Sequence, residues 1–174
     1  MNLLTFSHPI LLSVGSIITS AVAGRSIRGR VDLVHSVAPL CVVPSLLLLP
    51  YFLTLFVAPR LALAVYYGGS SPHLEGAYLL RILVVSYVFL LAVIVSGATL
   101  SGVAQTGKLF GAQCAAAISG LLVGVPMTIH FGLPGAALGF LGVNIVHGTA
   151  CMAALWRFLQ SVPESGSGPV AETI

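Results

Sequence analysis

Four residues have side chains that could act on a bound molecule: Arg60, Arg81, Asn144 and His147. Arg60 and Arg81 bracket residues 61–80, which connect two long apolar runs. If those runs pair as a hairpin, the two guanidiniums meet at one boundary between membrane and water. Each is a planar fork of N–H donors that matches a phosphate by bidentate hydrogen bonds. Alternatively, each snorkels separately to the phosphates of surrounding lipid. Asn144 and His147 are three residues apart, which places them on nearly one face of a helix. Polar groups in the middle of a span are candidates for a substrate or ion path, and the plainer role is an interhelical hydrogen bond.

The remaining polar residues exclude more than they suggest. Asp32, Glu75, Glu164 and Glu172 all fall in connections or the tail, so neither a buried carboxylate proton relay nor an Mg²⁺–pyrophosphate site has its oxygen ligands. The sequence has no Ser-His-Asp set, no His-Glu-x-x-His and no phosphate loop. Cys41, Cys114 and Cys151 are scattered without metal-ligand spacing, and His8, His35, His73 and His130 stand at or outside the ends of the expected spans. We therefore expect no enzyme, no cofactor and no metal site. A net charge of +3 with no basic patch interleaved with aromatics argues against nucleic acid.

These residues must be held by membrane elements, because 57% of the chain is hydrophobic and 6% charged, against about a quarter charged in soluble domains. Uncharged runs cover 1–24, 33–59, 82–107 and 109–156. The last is long enough for two crossings, and HFGLPG at 130–135 offers the turn between them. The expectation is an all-α polytopic transmembrane bundle of about five spans, at 3–24, 36–59, 79–103, 108–130 and 134–158. Backbone groups in lipid must pair internally, and no two-residue alternation supports a barrel. The first run lacks a basic leader, so it reads as a retained span. The Pro, Gly and Ser-rich tail at 161–174 reads as disordered and cytoplasmic.

Charge sets the orientation. With five spans, Arg25, Arg28, Arg30, Lys108 and Arg157 share one side, leaving Arg60 and Arg81 on the other. Basic residues stay cytoplasmic, so the amino terminus lies outside and the carboxyl terminus inside, with those five residues as topology anchors. Tyr66, Tyr67 and Tyr78 suit the opposite interface. Small residues recur every four positions at Ala116–Gly120–Gly124, Gly135–Gly139 and Ala98–Gly102, as close helix packing in lipid requires. The second span holds Pro39, Pro44, Pro50 and Pro59, and its internal pair, Pro44 and Pro50, should bend it.

Three passages carry a resemblance: LFVAPRLALAVYYGG at 55–69, AYLLRILVVSYVFLLAVIVSGATLSGVAQTGKLF at 77–110, and HFGLPGAALGF at 130–140. In this order, across 34–160, they resemble the carboxyl-terminal half of polysaccharide flippases of the multidrug/oligosaccharidyl-lipid/polysaccharide exporter superfamily. The resemblance implies translocation of a lipid-linked oligosaccharide across the bacterial cytoplasmic membrane, for polysaccharide such as lipopolysaccharide of the cell envelope. The orientation read from charge agrees with that family's second lobe. Alternating access needs a first lobe as well. Its absence here implies a fragment, a separately encoded first lobe or polysaccharide-assembly partner, or a non-transporting membrane scaffold. A multidrug-efflux transporter of the same superfamily is the other alternative, although no buried acid is present to bind a cation.

Overall fold

A computed structural model describes residues 7–23, 30–68 and 76–162, and among them every regular element is helical. The helices are α1 (Ser7–Ala23), α2 (Arg30–Val57), α3 (Pro59–Tyr67), α4 (Ala77–Gly102), α5 (Thr106–Ser119) and α6 (Val125–Ser161). A π-helical turn, Gly120–Gly124, joins α5 to α6 without a break in the rod. Three stretches are long and apolar enough to cross a membrane: Val37–Val57, Ala77–Gly102 and Thr106–Ser161, with His8–Ala23 apolar but shorter. Five such crossings were expected from the charge pattern, and the difference lies at both ends of the count.

The 56-residue stretch Thr106–Ser161 is not one straight rod. Gly132 has φ 60° and ψ −134°, outside any helical conformation, and the chain reverses there. Gly124 then faces Gly139 so closely that a Cβ on Gly139 would lie 2.8 Å from the Gly124 Cα, and Gly120 stands beside Val143. On a straight helix Gly124 and Gly139 would be about 22 Å apart. HFGLPG is thus the fold-back between two antiparallel limbs.

Contacts fix the directions of the other helices. α1 runs parallel to α4: Gly15 lies against Ile94, the Thr19 hydroxyl donates to the Ala98 carbonyl at 3.3 Å, and Gly102 meets Val22. α2 runs opposite to both, with Leu11 clustered with Leu48, Phe52 and Leu55 at one end and Ile18 and Val22 near Val37 and Leu40 at the other. The second limb of α6 is parallel to α4, since Ser86 meets Asn144 and Phe89 meets Gly148. Five successive limbs therefore alternate in direction.

Several boundaries differ from the sequence expectation. α2 begins at Arg30, so Arg30 and Asp32 sit on its first turn and not in a loop. It stays helical through Pro39, Pro44 and Pro50, and it breaks at Ala58 (φ −122°, ψ 58°), after which Pro59 opens α3. Proline is suited to that first helical position because its missing N–H would have no partner there. Arg60 consequently lies on a helix, not in a connection. α5 starts at Thr106, two residues early, and α6 runs to Ser161. The expected tail from 163 onward lies outside the described residues, as do Arg25, Arg28, His73 and Glu75.

Little of the apolar surface is enclosed. Leu46 is 70% exposed and Ile129 74% exposed, and Leu121, Leu122 and Leu133 are similarly bare. Apolar patches of this extent mark a surface that is covered by something other than water. Together with the length of the helices, they point to a membrane location.

Candidate functional site

The break at Ala58 builds the cleft that holds both arginines. Arg60 is the second residue of α3, and Arg81 stands just over one turn into α4. They line a common cleft of about 520 Å³ with Val57, Pro59, Leu61 and Tyr78. Both are exposed. The Arg81 Nε donates to the Phe56 carbonyl at 3.0 Å, one of the acceptors left over where α2 stops. That bond fixes the base of the guanidinium beside the cleft. Ala62 is the first α3 amide that pairs back, with the Ala58 carbonyl at 3.1 Å. The amides of Arg60 and Leu61 are the free first-turn donors of a helix, and they add a partial positive charge to the same cleft. Tyr78 enters from the first turn of α4, so a second helix start borders the site. Neither guanidinium pairs with a carboxylate among the described residues. The arrangement suits a phosphate group.

Asn144 and His147 have different surroundings. Asn144 is 4% exposed, and its amide nitrogen donates to the Ser86 hydroxyl at 3.0 Å and to the Phe140 carbonyl at 2.9 Å. Both N–H groups of the amide are used, so the residue ties the second limb of α6 to α4. His147 is half-buried, with an Nε2 that is enclosed and makes no hydrogen bond. It lines a different hollow, of about 280 Å³, with Ser16, Gly97 and Gln113, where α1, α4, α5 and α6 meet. The arginine cleft and this hollow share no lining residue.

The topology anchors that are described lie at the other end of the bundle from Arg60 and Arg81. Lys108, on the first turn of α5, places its Nζ 5.5 Å from the centre of the Phe158 ring, within the range of a cation–π contact. Arg157 is exposed beside it in sequence, and Arg30 opens α2 at the same end. Among the described residues no three His, Cys, Asp or Glu side chains gather as metal ligands.

Sequence reasoning missed Ser86. Ser96 and Thr99 lie on the same helix and are equally buried, but their hydroxyls bond back to Ala92 and Val95 on their own helix. Spacing alone does not separate the hydroxyl that meets Asn144 from the two that bond back to their own helix. Comparison with protein-family models, curated proteins and solved structures finds no match for this chain.

Proposed function

We propose that the chain forms the second lobe of a membrane transporter that carries lipid-linked oligosaccharide or polysaccharide precursor across a bacterial cytoplasmic membrane by alternating access. The supporting observation is where the three flippase-like passages fall, because each contains a joint of the bundle. The first holds the Ala58 break, the second holds the tight turn at Ala104, and the third holds the reversal at Gly132. Family-like residues at the joints are what a shared architecture would retain.

In this reading all five limbs cross the bilayer, with the end that carries Lys108 and Arg157 in the cytoplasm and the amino terminus outside. Transport requires a second repeat to move against this one. A groove of about 370 Å³ along the α5–α6 hairpin, edged by Gly120, Gly124, Thr128 and Gly139, is the small-residue surface on which a first lobe or an assembly protein would pack. His147 is the substrate-path residue best supported by geometry, because its hollow lies among four helices. The chain is a transporter and not an enzyme in this account, and it uses no cofactor. An efflux role for small cations is disfavoured because no carboxylate sits mid-helix among the described residues.

Deleting the gene and measuring surface polysaccharide together with polyprenyl-linked intermediates tests the proposal. Surface polysaccharide should fall and the intermediates accumulate, with recovery on re-expression. Unchanged levels of both would overturn it, and a change confined to drug susceptibility would transfer the chain to the efflux branch.

A further inference from the structure

The arginine cleft does not end at the arginines. Phe56, whose carbonyl accepts from Arg81, borders an apolar groove of about 330 Å³ between α2 and α4. Its walls are Leu49, Leu53 and Phe56 on one side and Val85 and Val88 on the other, all exposed. Val84 and Val85 follow Arg81 by one helical turn, and Val57 of the cleft adjoins Phe56 of the groove. A cationic head pocket thus continues into an apolar trough.

We propose that cleft and groove together hold one resident anionic glycerophospholipid of the bilayer, with its phosphate between Arg60 and Arg81 and one acyl chain between α2 and α4. This rests on the chain spanning a membrane and not on its transporting anything. Three observations select this occupant. Two guanidiniums without a carboxylate partner among the described residues, beside the first-turn amides of α3, offer a phosphate opposite charge and several N–H donors. The groove extends from Phe56 to Ser45, about 16 Å along a helix, which is roughly one leaflet of a hydrocarbon core about 30 Å thick. It shares no lining residue with the hollow around His147, and it stops at Ser45, well short of the end that carries Lys108 and Arg157. A translocated substrate needs a route between both ends, whereas a lipid that stays in one leaflet does not.

Native mass spectrometry of the full chain, released from nanodiscs of defined composition, tests the site. From an equimolar mixture, phosphatidylglycerol should be retained about tenfold over phosphatidylcholine, whose choline cation brings like charge against the two guanidiniums. Arg60→Gln, which removes no internal hydrogen bond, should abolish that preference. Val88→Trp should reduce retention of both lipids by filling the trough without altering charge. Inorganic phosphate at millimolar concentration should not displace the lipid. Equal retention of the two lipids, or a preference that survives Arg60→Gln, would overturn the site. Displacement by inorganic phosphate would overturn the role of the groove, and displacement by equimolar undecaprenyl phosphate would overturn a resident lipid in favour of a carrier. None of these outcomes depends on the deletion phenotype, so the lipid site and the transport proposal can fail separately.

Discussion

Asn144 and Ser86 show how a polar residue in an apolar helix can be spent on architecture. Both N–H groups of the Asn144 amide have acceptors, one across the interface and one on its own helix, so nothing on the donor side remains for a ligand. Interhelical hydrogen bonds in lipid average only about 0.6 kcal/mol, because the separated helices also find partners. Ser86→Ala should therefore lower stability by about 0.5–1.5 kcal/mol in detergent or bicelle unfolding. A double-mutant cycle with Asn144→Ala should recover a coupling of similar size, and strict additivity would contradict the bond. Asn144 was legible in the sequence because an amide stands out in an apolar run. Its partner was not, since three buried hydroxyls on α4 look alike until the opposing helix is placed. The same limit applies to His147, whose hollow is built by residues of α1, α4 and α5 that are distant in sequence.

At the scale of elements, glycine and proline were read with unequal success. HFGLPG was legible as a turn because Gly132 alone can adopt φ 60°, ψ −134° cheaply, and the small-residue rows before and after it meet across the hairpin. Gly139→Leu should force the limbs apart where Gly124 now lies in backbone contact. We expect a loss of about 1–3 kcal/mol, as for overpacking in a close-packed interior, read as a lowered midpoint of thermal unfolding. A midpoint equal to the wild type would mean that the limbs do not touch there. Proline gave a poorer guide. Pro44, Pro50 and Pro59 are chemically identical, yet only Pro59 begins a new helix, where the Phe56 carbonyl is met by Arg81 from α4. That partner comes from 25 residues away, so no local pattern identifies which proline ends the helix. The start of α2 at Arg30 was obscured in a similar way, because charge was read as marking the end of helix when it marked only the end of the apolar run.

For the whole molecule, composition and the order of uncharged runs revealed the helical class. They did not reveal how the limbs pair, which depends on contacts such as Thr19 with Ala98 and Gly148 with Phe89. Alternating limbs place Arg60 and Arg81 at one end of the bundle and Lys108 and Arg157 at the other. The transport proposal and the lipid site both require these ends to lie on opposite sides of a bilayer. Paired reporter fusions measure this directly: alkaline phosphatase and green fluorescent protein joined after Gly68, near the arginine cleft, and after Val162, beyond α6. The account predicts active phosphatase and dark fluorescent protein at Gly68, and the reverse at Val162. Fusions at both positions reporting the same side would contradict it.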